Sequence, residues 1–76
     1  MTQHDTDIEI AIGQIRAYLA MRPHGADTRE GVAQWWLDGI FPPEVVEAAL
    51  ERLLASGEMD RVNMGQRQLW RRARAV

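Results

Sequence analysis

Pro42-Pro43-Glu44-Val45-Val46-Glu47-Ala48-Ala49-Leu50-Glu51-Arg52-Leu53-Leu54-Ala55-Ser56-Gly57-Glu58-Met59 carries a helix with both of its ends marked in the sequence. The proline pair opens it, because the first helical position has no use for the N–H that proline lacks. Val46, Ala49, Leu50, Leu53 and Leu54 recur at helical spacing and predict an inward face. Gly57 supplies the left-handed residue that ends a helix. The predicted span is 43–56, with Glu44, Glu47, Ala48, Glu51, Arg52 and Ala55 facing outward.

Working upstream, Thr6-Asp7-Ile8-Glu9 fits a capping box, and Ile8, Ile12, Ile15 and Leu19 form an apolar stripe behind it. Pro23 and Gly25 stop the pattern, with Arg22 suited to the negative end of the helix dipole. This predicts a first helix over 7–21, after a flexible tail over 1–6. Asp27-Thr28-Arg29-Glu30 repeats the start signal with Asp27 as N-cap, and a second helix is predicted over 28–37. On a wheel of about 100° per residue, Trp36 lies about +40° and Trp35 about −60° from Val32, so both indoles flank it. Asp38-Gly39-Ile40-Phe41 is a short turn.

Downstream of Gly57 the helical period is lost. Two short strands within 59–72, turning at Gly65, are predicted as a hairpin, and 74–76 as a flexible end. The fold class is therefore mainly α with a small β-hairpin, in a single domain over 7–73.

Composition bounds what such a chain does. Its 76 residues bury roughly 60% of the surface an unfolded chain would expose, with net stability on the order of 5 kcal/mol. That length leaves no room for a deep cofactor cleft. Cysteine is absent, which removes disulfides and thiolate metal sites and is compatible with a reducing compartment. No apolar run approaches the roughly 20 residues of a membrane span, and the N-terminus is acidic rather than signal-like. A cytoplasmic domain is the expectation. The formal charge is −2, but its distribution is uneven. Residues 61–76 hold five arginines and no carboxylate, a local charge of +5; the first sixty hold four arginines against eleven carboxylates, or −7. An anionic partner would meet the C-terminal end. Lysine is absent, so every strong cation is a guanidinium, a pattern that GC-rich codon usage explains as well as selection for bidentate anion binding.

Helix, helix, short turn, helix, hairpin, from Ile8 to Arg72, resembles a winged helix-turn-helix. The segment Glu44 to Met59 is similar to the third helix and first wing strand of such domains, with Met64-Gly65-Gln66 as the wing tip and Leu69 and Trp70 on the returning strand. Gly25 to Trp36 looks like a signature of a small bacterial family, without an attached activity. The resemblance implies DNA binding through the exposed face of the third helix. The sequence departs from that pattern there: Glu44, Glu47 and Glu51 stand against Arg52 alone, where a reading helix presents cations and amides to bases and phosphates.

Enzymatic chemistry has little to work with. Ser56 is the one serine and adjoins the C-cap; His24 lies in a loop, and His4 with Asp5 and Asp7 lies in the predicted tail, a poor metal holder. Glu44, Glu47 and Glu51 share a surface helix, which gives no dry cleft for acid–base work. No catalytic residue, cofactor or metal is expected. The candidates for contact with a partner or nucleic acid are Arg61, Arg67, Trp70, Arg71, Arg72 and Arg74; Trp35, Trp36, Glu44, Glu47 and Glu51 are the candidate protein-contact face. For the tryptophans the competing reading is core. For the arginines it is a solvated surface paired with the domain's own acids. The expected function is a non-enzymatic interaction or regulatory adaptor, bound to a protein partner or to another copy of itself. The alternative is a transcriptional regulator that touches duplex DNA weakly, mainly through an Arg-rich wing.

Overall fold

The computed structural model describes residues 3–73. The first helix, α1, spans Gln3–Met21 and so begins ahead of the predicted start at residue 7. Thr6 consequently lies inside the helix rather than capping it, and the part of the expected tail from Gln3 onward is helical. Asp5 sits in the first turn, where the helix dipole favours a negative charge. Glu9, expected to reach back toward Thr6, instead accepts a hydrogen bond from Arg52 at 2.8 Å. Ile8, Ala11, Ile12, Ile15 and Leu19 form the buried stripe. Arg22 falls just beyond the helix; its N–H still donates to the Tyr18 carbonyl at 2.8 Å, and its guanidinium lies 5.9 Å from the Tyr18 ring centre.

A two-residue strand absent from the sequence expectation follows: β1, Ala26–Asp27. Next comes α2, Arg29–Gly31, capped by Thr28 rather than Asp27. The Thr28 hydroxyl accepts from the Gly31 N–H at 3.1 Å, while Asp27 Oδ1 accepts from the Thr28 N–H at 2.8 Å. A side chain at Gly31 would run into the Asp27 carboxylate, so the cap requires glycine there.

The predicted second helix over 28–37 does not remain α-helical. From Val32 to Trp36 it widens into a π-helical turn, closed by the Leu37 N–H donating to the Val32 carbonyl at 3.0 Å. Each residue of a π-turn rotates by less than the roughly 100° of an α-helix. Three steps from Val32 therefore carry Trp35 farther from the core, and four bring Trp36 nearly back beneath it. Trp36 is buried and stacks on Tyr18, with ring centres 4.3 Å apart and planes within 12°; Trp35 is 71% exposed. The expectation that both indoles flank Val32 is corrected accordingly. Asp38 and Gly39 then adopt positive φ, 58° and 69°, and the Gly39 N–H is tied to the Ala33 carbonyl at 2.8 Å.

The third helix, α3, spans Pro43–Ala55 and buries Val45, Val46, Ala49, Leu50 and Leu53. Its end is a Schellman motif: Gly57 sits at φ 82°, the Glu58 N–H donates to Leu53 at 3.0 Å and the Gly57 N–H to Leu54 at 3.1 Å. Strands β2, Met59–Met64, and β3, Arg67–Arg72, are joined through Gly65-Gln66. Gly65, at φ 65°, occupies the first turn position, where a tight hairpin of this kind needs glycine.

The sheet is three-stranded and antiparallel in the order β1-β3-β2. The fold is thus mixed α/β rather than mainly α with a lone hairpin. β1 was missed because Ala-Asp has little strand preference of its own. It is recruited by the far end of the chain, Ala26 pairing with Arg71 and Asp27 with Trp70. Met59 and Trp70 point from the sheet into the core, completing a cluster with α1, the π-turn and α3.

Candidate interaction surface

The outward face of α3 borders an open groove whose other walls are the start of α2 and the hairpin. Among the expected contact residues it gathers Glu47, Glu51, Arg61, Arg67 and Trp70; Asp27, Thr28, Arg29 and Glu30 join them from the α2 cap. Two ion pairs cross the groove. Arg29 donates to Glu47 at 3.1 Å, and Arg61 lies 3.4 Å from Glu51. Arg52, expected as the counter-charge of the glutamate face, turns the other way to Glu9. The glutamates are therefore not an uncompensated row: of the three, only Glu44 has no ion pair among the described residues.

Arginine chemistry divides the molecule. Arg16 grips Glu58 with both arms of its fork, at 2.8 and 2.9 Å, and joins α1 to the turn after α3. The Arg16 bonds, seconded by the Ser56 hydroxyl donating at 2.8 Å, hold the Glu58 carboxyl down to about 2. Both partners stand in solvent, so the pair is worth little by itself. Arg16, Arg29, Arg52 and Arg61 are thus all consumed by carboxylates of the body. Arg67, Arg71 and Arg72, all on β3, have no ion pair among the described residues. Arg74 lies outside the described residues.

The aromatic candidates separate too. Trp70 is 4% exposed, so it caps the core beneath the sheet, and the Arg61 guanidinium lies 5.6 Å from its ring centre. A base could not stack on so buried a ring. Trp36 is likewise core. Trp35 remains, presented from the π-turn beside the rigid Asp38-Gly39 turn, which also exposes Ile40 at 67%. Arg71 and Arg72 leave the groove entirely; they line a second recess with Pro23, His24, Gly25, Ala26 and Ala73.

Sequence reasoning missed Arg29 as the partner of Glu47. No local signal announces it, since the pair is 18 positions apart. It missed Ile40 as well, although an isoleucine placed in a turn after Asp-Gly is a readable sign of an exposed apolar residue. No group of three or more His, Asp or Glu among the described residues could hold a metal, and no described helix is long and apolar enough to cross a membrane. No family model matches the chain, and neither a curated protein nor a solved structure does.

Proposed function

We propose that this chain is a winged-helix-like, non-enzymatic adaptor of the cytoplasm that docks a protein partner. The winged-helix part is supported by the order of elements and by the way β1, placed after the first helix, pairs with the last strand. The observation that carries the docking part is Trp35, 71% exposed on a backbone fixed by the π-turn and its hydrogen bonds. Indoles of this kind act as anchors at protein interfaces, because they bury a large rigid surface at small entropic cost. Ile40, in the turn that follows, is a second large apolar side chain left exposed. Against base reading by α3 stands its outward chemistry: Glu47 and Glu51 occupy that face, and two of the groove's three arginines, Arg29 and Arg61, are already engaged with them, leaving Arg67. Few counterions would be released there by a duplex.

One observation favours the second reading, a DNA-binding regulator acting through the wing: Arg67, Arg71 and Arg72 carry charge that no carboxylate among the described residues pairs with. The test compares wild type with Trp35→Ala in affinity purification from the native cell, alongside duplex binding in solution. The adaptor reading expects specific partners lost with Trp35→Ala, and duplex affinity micromolar or weaker without sequence preference. Sequence-specific nanomolar duplex binding at physiological salt would overturn it in favour of the regulator.

A further inference from the structure

The outward side of α1 carries no charge. With Ala17 as its centre and about 100° per residue, Thr6, Ile10, Gly13 and Met21 lie within about 50°, and Gln14 and Ala20 border them. All but the half-buried Gln14 are exposed, the large apolar Ile10 and Met21 included. A helix laid on a core by one face normally turns charge to water on the other, as α3 does with Glu44, Glu47 and Glu51. Gly13 adds to the contrast. Glycine is the weakest helix former apart from proline, yet a Cβ placed there would meet nothing within 4 Å beyond its own helix among the described residues. The fold itself makes no use of a glycine at that position, whereas a second backbone passing close by would.

The charges of α1 are sorted along its length. Asp5, Asp7 and Glu9 precede Ile10; beyond it, through Arg22 just past the helix end, the charged residues are Arg16 and Arg22. Glu9 and Arg16 stand two helical turns apart and project from the same edge of the uncharged face. We propose that this face joins two copies of the chain as an antiparallel, two-fold dimer. A two-fold interface must be self-complementary, and α1 is complementary to itself when reversed: acid meets base, and the helix dipoles oppose. An axis near Gly13 sets Ile10 of one copy close to Ala17 of the other. Like edges then face each other, so Glu9 of each copy meets the partner's Arg16. The bonds that these groups make to Arg52 and Glu58 use Glu9 Oε1, Arg16 Nε and Arg16 Nη2, which leaves Glu9 Oε2 and Arg16 Nη1 to reach across. One helix pair about 24 Å long is a small interface, so association is weak and depends on concentration. The face does not include Trp35, so the dimer and the docking of a protein partner can fail separately.

The test is sedimentation velocity of the full chain from about 10 μM to 1 mM at low salt, with circular dichroism of every variant to confirm folding. A reversible monomer–dimer equilibrium is expected, with a dissociation constant on the order of 100 μM. Ala17→Arg puts a charge at the centre of the face without breaking an ion pair, and should weaken the dimer about tenfold or more. Trp35→Ala should leave it unchanged. Glu9→Arg and Arg16→Glu should each weaken it alone, because like charges then meet twice. An equimolar mixture of the two should regain the wild-type affinity, because each charge then meets its opposite. Should a charge variant lose its folded spectrum, Ala17→Arg and Gly13→Leu carry the comparison. A chain that stays monomeric across the range, a dimer untouched by Ala17→Arg, or a dimer lost with Trp35→Ala overturns the proposal. So does a mixture of the charge variants that associates no better than either alone, which would deny the antiparallel pairing.

Discussion

The face of α3 and the returning strand β3 hold comparable densities of charge and treat it in opposite ways. On α3, Glu47 and Glu51 each meet an arginine from another element, so the helix presents a surface that is charged but internally paired. On β3, Arg67, Arg71 and Arg72 meet no carboxylate among the described residues. Net charge along the sequence concealed this difference, because it counts groups and not partners. The acidic body spends most of its arginines on its own acids; among the described residues the unspent ones are Arg22, set against the Tyr18 ring, and the three on β3.

The largest test of this contrast is whether α3 is the fixed platform it requires. Leu50 is fully buried between α1 and the sheet, and Leu50→Ala should lower unfolding free energy by about 2–5 kcal/mol in denaturant melts. A change below about 0.5 kcal/mol would remove α3 from the core. The adjacent tryptophans offer a matched pair. Trp36→Ala should cost about 3–5 kcal/mol, because it empties the site stacked on Tyr18. Trp35→Ala should stay within about 0.5 kcal/mol, as an exposed surface change does, while weakening partner capture.

Smaller effects on stability sharpen the charge contrast itself. Changing Arg67, Arg71 and Arg72 together to Gln should leave the melting curve nearly unaltered, since no ion pair among the described residues is lost. Association with an anionic partner should slow, and slow less as salt is raised. The counterpart, Glu44, Glu47 and Glu51 to Gln, releases Arg29 and Arg61. On the adaptor reading it leaves duplex binding weak; on the regulator reading it strengthens it. If both triple variants fold and neither changes any interaction, the unpaired arginines are a solvated surface and the functional reading fails.

The smallest effect concerns pH. The Glu58 carboxyl is held from its ordinary 4.5 down to about 2 by its Arg16 and Ser56 hydrogen bonds. Its contribution to stability is therefore full above about 4.5 and is lost as pH falls toward about 2. Glu58→Gln should flatten that part of the acid limb of melting temperature against pH. An unchanged slope would show that water screens the pair completely.

What could be read from the amino-acid order follows the range of the forces involved. α3 was legible because proline and glycine mark its ends and its apolar residues repeat within it. The hairpin was legible from Gly65. β1 was not, because its partners Trp70 and Arg71 lie at the far end of the chain. The π-turn was not, because a pattern read at the α-helical angle places Trp35 and Trp36 alike on the core side. At the candidate surface, the arginine cluster was visible in sequence. Which arginines were already taken was not, since Arg16–Glu58 and Arg52–Glu9 join residues 42 and 43 positions apart.

The two-residue strand β1 has a kinetic consequence. Pairing Ala26 with Arg71 closes a loop that holds every element after α1, and two ladder positions return little against that closure entropy. The β2–β3 hairpin and the α1–α3 contact can form first without it, so β1 docks late and opens early. Its amide protons should exchange with solvent through a local opening, faster than those of Leu50 or Leu53, which require global unfolding. The recess at residues 23–26 exists only while that short ladder is closed.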